Sequence, residues 1–332
     1  MTQRPIGIAG AGSIGCFVGG MLAAGGREVT LLARARVIEE VSRHGLRLTS
    51  FDGLDRKMPA AGMLLSDDPA ILRDAAVILV TVKSADSPEI AELIARYAPE
   101  DAVIVSLQNG IGNVDALQTI LPRHRVLGGM VPFNVVAMGE GRMHRATSGD
   151  IVVARDDAGT AQALSVADLP VRATDDIAGV QWGKLVLNLN NALNALSGLP
   201  LREQLAQREW RRLFADQMAE GLAAIRAAGI RPVSPTPLPM ALTPLLLRLP
   251  DGLFRLLLGR TMQIDPHARS SMWEDLERRR RTEVDYLQGV ILRTAAQHGL
   301  KAPLAQRIVA LVKAAEVAGR GSPGLTARET RG

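Results

Sequence analysis

One cysteine, three tryptophans, two tyrosines and five phenylalanines are all that a chain of 332 residues has of those types, and each shortage excludes something. Cys16 alone cannot close an intrachain disulfide, which agrees with a reducing compartment, and it reads as a small buried side chain on an apolar helix. No segment interleaves aromatics with lysine and arginine, so a base-stacking surface for nucleic acid is not expected. The 39 basic and 34 acidic side chains leave a charge of +5, spread along the chain, a balance that suits small anions better than a polyanion. No basic, apolar and small-residue leader follows Met1, so the expected location is the cytoplasm. The most apolar stretch, Leu238 to Leu258, is interrupted by Pro239, Pro244, Arg248, Pro250, Asp251 and Arg255 and falls short of a membrane span. It reads as helices facing a core or a partner subunit, which leaves a homodimer open. His44, His124, His144, His267 and His298 are dispersed without ligand spacing, so no metal is expected.

What is present is an alternation of short β-rich runs with helix-length segments from Arg4 to about Asp176, the pattern of a parallel sheet wrapped by helices. Strands are expected at Pro5 to Ala9, Glu28 to Ala33, Ala76 to Val82, Ala102 to Leu107, Val126 to Val131 and Ile151 to Ala154. Asp52-Gly53 suits the turn of a small hairpin between Gly45 and Met63, and Val131 to Val153 suggests further antiparallel strands at the sheet edge. Beyond Gly179 the β-branched runs disappear. Helices are expected at Val180 to Leu196, Arg202 to Ala228, Ser271 to His298 and Leu304 to Ala318, with Gly198, Gly229 and Gly299 as stops and Pro232, Pro235, Pro237 and Pro239 marking a stiff loop. The expected organisation is therefore an α/β domain over residues 1–178, an all-α domain over 179–319, and a frayed tail over 320–332.

The segment from Ile6 to Gly15 places Gly10, Gly12 and Gly15 between a strand and a helix. Gly10 permits a tight turn, Gly12 lets backbone approach a pyrophosphate, and Gly15 lets the helix lie close to the sheet, while Ala11, Ser13 and Ile14 complete a helix N-terminus that presents N–H groups to phosphate. At the end of the second strand, where a carboxylate would hold the ribose hydroxyls of NAD, this chain has Ala33-Arg34-Ala35-Arg36. Guanidinium suits a 2′-phosphate, so NADPH/NADP+ is the expected cofactor. Lys83 follows another strand at the same sheet edge, and Ser106-Leu107-Gln108-Asn109-Gly110 ends a third.

Lys184, Asn188 and Asn191 interrupt an otherwise apolar helix and share roughly 60° of its circumference, which points to a wet cleft or a bound ligand. Ser270 or Ser271 can cap the next polar segment, which runs through Asp275 to Glu283. Arg278 to Arg281 read as a solvated face pairing with Glu274, Glu277 and Glu283.

Taken together these motifs resemble the ketopantoate reductase family: Gly10, Gly12 and Gly15, then Arg34, Lys83, Asn109-Gly110, the Lys184 to Asn188 pair, and Ser271-Met272 twelve residues before Glu283. The resemblance runs from about Gly7 to Ala315. It implies a Rossmann-type N-terminal domain, a helical C-terminal domain like that of 6-phosphogluconate dehydrogenase, and a substrate cleft between them. It further implies NADPH-dependent reduction of 2-dehydropantoate to pantoate on the way to coenzyme A. Lys184 would be the general acid and Glu283 would bind the substrate hydroxyl. Ser271 would bind the carboxylate, Asn109, Asn188 and Asn191 would position substrate and lysine, and Asp275 would support this set. The dinucleotide contacts carry over onto the glycine turn, Arg34, Lys83 and Asn109.

Two positions depart from the family pattern. Position 192 is Ala where a second asparagine is usual, with Asn191 one residue early, and Ala268 stands three residues before Ser271 where asparagine is common. They keep in view a paralogous reductase of another small 2-oxo acid. A third reading, a binding protein that senses NADP without catalysis, has no use for a proton donor such as Lys184.

Overall fold

The computed structural model describes residues 4–235, 238–258 and 268–332; Pro237 and His267 lie outside the described residues. The chain divides into two compact units, the first ending at Ile177 and the second beginning at Ala178.

Among the described residues the first unit is built on twelve strands: β1 (Ile6–Ala9), β2 (Val29–Leu32), β3 (Leu46–Ser50), β4 (Asp55–Met58), β5 (Leu64–Ser66), β6 (Val77–Val80), β7 (Val103–Ser106), β8 (Arg125–Met130), β9 (Val135–Ala137), β10 (Arg142–Arg145), β11 (Ile151–Ala154) and β12 (Val171–Thr174). Eight of them form one sheet in the order β12-β11-β8-β7-β6-β1-β2-β5, parallel throughout except where β11 runs against β8. The apolar runs of β1, β2, β6 and β7 are continuous because the sheet is covered on both faces. Ile8, Leu31, Leu79 and Val105 turn to one core. Their neighbours Ala9, Leu32, Ile78, Val80 and Ile104 turn to the other, against Ile90, Ile94 and Leu117. From β1 the chain proceeds outward to β2 on one side and, after β5, to β6 on the other. β1 therefore ends at a switch point, the place where open sheets of this kind bind ligands.

The helix Ser13–Ala24 is buried along nearly its whole length because it lies between two sheets. A Cβ on Gly19 would sit 2.9 Å from Ile8 of the large sheet, and one on Gly20 would sit 2.9 Å from Leu48 of the small one. That small sheet has the order β4-β3-β10-β9. The hairpin around Asp52-Gly53 forms as expected, with Leu46 opposite Met58 and Thr49 opposite Asp55. β9 and β10 differ from expectation: they do not extend the edge of the large sheet but join this hairpin, β10 running parallel to β3. The pairing spans some ninety residues of sequence, and Phe17 against Phe133, edge to face at 5.8 Å, ties it to the helix.

Among the described residues the second unit is helical. Gly198, Gly229 and Gly299 adopt φ of 67°, 71° and 69°, the left-handed stops expected of them. Three expected helices are broken. Val180 to Leu196 appears as Ile177–Asn188 and Asn190–Ser197, and Arg202 to Ala228 as Leu201–Ala206 and Arg208–Ala227. Ser271 to His298 ends first at Glu277, and Gln288–Gln297 follows after a short 3-10 turn. The last break is a Schellman end: Arg280 N donates to Asp275 O and Arg279 N to Leu276 O. Arg279 stands at φ 52° where glycine is usual. Arg211 is fully buried and donates to the carbonyls of Leu205, Ala206, Leu247 and Leu249 and to Asp251 at 2.7 Å, while its guanidinium lies 4.1 Å above Phe254. It fastens the leucine-rich stretch, of which Leu247 and Phe254 are buried and Leu245 and Leu256 exposed. No helix of the described residues is long and apolar enough to cross a membrane.

The expected frayed tail is instead docked. Ala327–Arg331 is a helix with a capping box, Thr326 Oγ1 accepting from Glu329 N while the Glu329 carboxylate accepts from Thr326 N. Arg307 donates to Thr330 O and Glu329 O, Arg331 pairs with Asp216, and Ser322 N reaches the Glu277 carboxylate. Glu277 thus serves the tail rather than the arginine run. Because an N-cap contributes about 1 kcal/mol, Thr326→Ala should lower the Tm by roughly 2–4 °C in a unit of this size. An unchanged melting curve would mean that the tail is not held by its cap.

Candidate functional site

In the first unit the glycine turn leaves β1 at the switch point, and each glycine has a measurable reason. Gly10 has φ +97°, and a Cβ there would fall 2.2 Å from Val82. A Cβ on Gly15 would meet Thr81 Oγ1 at 2.6 Å and Gly10 O at 2.8 Å, so the helix can approach the strand only with hydrogen at that position. Gly12 is exposed and a Cβ on it would meet nothing within 4 Å; the space over its backbone is open. It stands as N-cap of Ser13–Ala24 with no side chain closing the helix end, so the first-turn N–H groups of that helix face outward without intrahelical partners. Thr81 Oγ1 donates to Gly10 O at 2.7 Å and Ala11 N donates to Leu32 O, which hold the turn from both sides. These features fit a pyrophosphate: an anion over open backbone, at a helix N-terminus.

The neighbouring loops are joined to one another. Arg34, N-cap of the helix Ala35–His44, is 88% exposed at its side chain and reaches Asp86 at 3.3 Å. Asp86 ends the 3-10 turn that Lys83 opens. Arg36 turns away to Glu40 on its own helix, at 3.9 Å. Ser84 Oγ donates to Asn109 O at 3.0 Å, as does Asn113 Nδ2 at 2.8 Å, and Gln108 Nε2 donates to Ser87 Oγ. The structure thereby brings the glycine turn, Arg34, Lys83 and Asn109 to one edge of the sheet. Thr81, Ser84 and Asp86, which with Gln108 connect these loops, were not singled out from the sequence; a Thr and Ser flanking a strand-end lysine were the available signal.

In the second unit Lys184, Asn188 and Asn191 are all partly exposed, while Leu185, Val186, Leu189 and Ala192 beside them are buried. Burial pulls the Lys184 ammonium down from 10.5 to about 8, and the charge of Glu283 works against that fall. Lys184 and Glu283 thus act on one another across 99 residues of sequence. Gly183 is what allows the next segment to close on this helix: a Cβ there would lie 1.7 Å from Val233 O, and Val233 N donates to Gly179 O at 2.8 Å.

The two serines separate cleanly. Ser270 is buried and is the cap, accepting from Trp273 N at 3.1 Å; Ser271 begins the helix Ser271–Glu277 and is exposed. Ser270 also anchors that helix to the one carrying the asparagines, its N–H donating to Asn194 Oδ1 at 2.8 Å and its hydroxyl to Asn191 O at 2.9 Å. Asn194 is fully buried and donates in turn to Leu199 O and to Gln204, a hub that periodicity alone did not mark as different from its neighbours. Asp275 is buried and Glu283 partly so. Among the described residues no group of three or more His, Cys, Asp or Glu could hold a metal ion.

Comparison with known proteins covers both units. A family model described as ketopantoate reductase PanE/ApbA matches residues 6–157, and one described as the C terminal of the same reductase matches residues 176–316. The crystal structure of a PanE/ApbA family ketopantoate reductase from Ralstonia eutropha JMP134 is 31% identical, with a TM-score of 0.80 over 95% of this chain and 99% of its own. A 2-dehydropantoate 2-reductase from Halobacterium salinarum is 28% identical over 93% of this chain and 98% of its own. The fold is shared as well with a D-mandelate dehydrogenase solved with NADH and anilino(oxo)acetate, at 22% identity and a TM-score of 0.78 over 95% of this chain and 99% of its own.

The open space over Gly12 separates stability from binding. Gly12→Ala should keep the fold within about 1 kcal/mol, the scale of an N-cap change, while weakening a bound dinucleotide roughly tenfold, equivalent to about 1.4 kcal/mol. Fluorescence titration with NADPH checks this, and an unaltered Kd would remove the pyrophosphate from this turn.

Proposed function

The chain belongs to the ketopantoate reductase family, and from that premise we propose that it is a 2-dehydropantoate 2-reductase, an NADP-dependent oxidoreductase that converts 2-dehydropantoate to (R)-pantoate on the way to coenzyme A. The observation that carries the reading is Lys184: an ammonium on an apolar helix, lowered to about 8 by burial and opposed by Glu283. A general acid works best with a pKa near the operating pH, and an ordinary surface lysine stands about two units higher.

In this reading the first unit holds a nicotinamide dinucleotide, its pyrophosphate over Gly10 to Gly15 and its adenosine 2′-phosphate at Arg34 and Lys83. When bound, the dinucleotide supplies hydride to the carbonyl carbon. As that carbon gains the hydride, the carbonyl electron pair moves onto oxygen, and Lys184 stabilises the growing charge and delivers its proton there. The product is an alcohol, and the neutral amine regains a proton from solvent. Glu283 accepts a hydrogen bond from the substrate hydroxyl, Ser271 donates one to its carboxylate, and Asn109, Asn188 and Asn191 orient substrate and lysine. Asp275, buried behind Ser271 on the same helix, supports the set. The buried free thiol of Cys16 supports a cytoplasmic setting.

Two measurements test the assignment. Lys184→Ala should bind NADPH normally but turn over about two to four orders of magnitude more slowly. In the wild-type enzyme, kcat/KM for reduction should be flat below pH 8 and fall above it, because the acid is lost as pH rises through its pKa. A limb that begins only near pH 10 would sink Lys184 as the proton donor.

Arg34 bears on cofactor choice. Its exposed pair with Asp86 is of the weak surface kind, so the guanidinium can exchange that partner for a phosphate. Arg34→Ala should weaken NADPH about tenfold to a hundredfold, the scale of a charge-assisted hydrogen bond or two, and leave NADH nearly unchanged. Equal weakening of both would dismiss the 2′-phosphate contact.

A further inference from the structure

The helix that carries Lys184 meets the next one at Leu189, which keeps helical dihedrals, φ −57° and ψ −27°. Regular helix stops at Asn188 and resumes at Asn190, although Leu189 N still donates to Leu185 O at 3.1 Å. At this junction the Leu189 carbonyl accepts a 2.9 Å hydrogen bond from Gln288 Nε2.

Gln288 is fully buried and opens the helix Gln288–Gln297 five residues after Glu283. Only the 3-10 turn Val284–Tyr286 and Leu287, at φ −113° and ψ −88°, lie between them. The crossing is closed by a third helix: a Cβ on Gly221 would lie 3.2 Å from Leu189 and 3.4 Å from Ile291. Val284 and Leu287 are buried beside Gln288, but apolar contact is non-directional and tolerates sliding, whereas a hydrogen bond does not.

The amide is also an odd choice for stability. Its Oε1 is buried with no hydrogen-bond partner among the described residues, a defect of about 1–3 kcal/mol that an apolar side chain of the same shape would avoid. A polar group kept under that penalty, on the segment that follows Glu283 and aimed at the helix of Lys184 and Asn188, points to a task of alignment.

We infer that Gln288 is a positioning residue for the reaction, fixing the register of the Glu283 segment against the helix of Lys184 and Asn188 through the Leu189 carbonyl. The inference rests on the assignment of Lys184 as proton donor. It explains why the two groups can act on one another although one lies on a helix and the other in an irregular turn. A shift of about 1 Å in such an arrangement is enough to cost up to a hundredfold in rate.

Gln288→Met tests it, because methionine keeps the length and removes both the donor and the orphaned acceptor. The variant should melt no lower than wild type, lose on the order of tenfold to a hundredfold in kcat, and change KM less. Its alkaline limb in kcat/KM should move to lower pH, since Glu283, the charged group acting on Lys184 against burial, would hold the ammonium less well. Gln288→Glu, whose carboxyl is protonated when buried and can then donate the same bond, should retain more activity than Gln288→Met. Wild-type kcat with an unmoved limb in Gln288→Met overturns the inference, as does a loss of rate that only follows a lowered Tm. If Lys184→Ala turns over normally, the proton-donor reading has failed; if it collapses while Gln288→Met behaves as wild type, only the role of Gln288 has.

Discussion

A lysine ammonium withdrawn in part from water is the interaction around which the helical unit is arranged. Desolvation disfavours the charge, and the pull of a carboxylate restores some of it; Lys184 stands between these opposing effects, with Glu283 supplying the second. Nearby features fix the elements on which the site residues stand. Gly183 admits the Val233 backbone against the helix, which removes solvent from one flank. Ser270 and Asn194 lock the short helix of Ser271 and Asp275 to the same scaffold.

The sheet unit meets a different constraint, the close approach of backbone to backbone. The helix Ser13–Ala24 is pressed between two sheets, and small residues along it set the distances on both sides. Rigidity on both flanks leaves the exposed Gly12 backbone as the part of that turn with open space above it. A phosphate site made of main chain gains from this, since its N–H groups are oriented before any ligand arrives.

Much of this was readable in the chain because it is encoded locally. The strands of the parallel sheet are short continuous apolar runs, the glycine turn stands between two of them, and the left-handed helix stops fall on Gly198, Gly229 and Gly299. The polar stripe of Lys184, Asn188 and Asn191 was visible against leucine and valine. What escaped is non-local or defeats propensity. β5 and β12 are three and four residues long with polar members, too little for a pattern. β9 and β10 find their partner in a hairpin some ninety residues earlier, which no window contains. The junction at Leu189 involves Gln288, and the break at Arg279 places a bulky residue where glycine is the expected signal. The tail looked like a loop by composition, yet Thr326 and Glu329 already spelled a capping box.

Arg211 shows how unevenly cohesion is distributed in the helical unit. Four carbonyls, one carboxylate and one aromatic ring converge on a single guanidinium, while several leucines of the stretch it holds remain uncovered. The attachment of that stretch is therefore shared between the main-chain oxygens of Leu247 and Leu249 and the side chains of Asp251 and Phe254. Its exposed leucines, such as Leu245 and Leu256, are free to drift over evolutionary time, or to be exchanged by an engineer, provided that the cationic rivet and its partners stay in place.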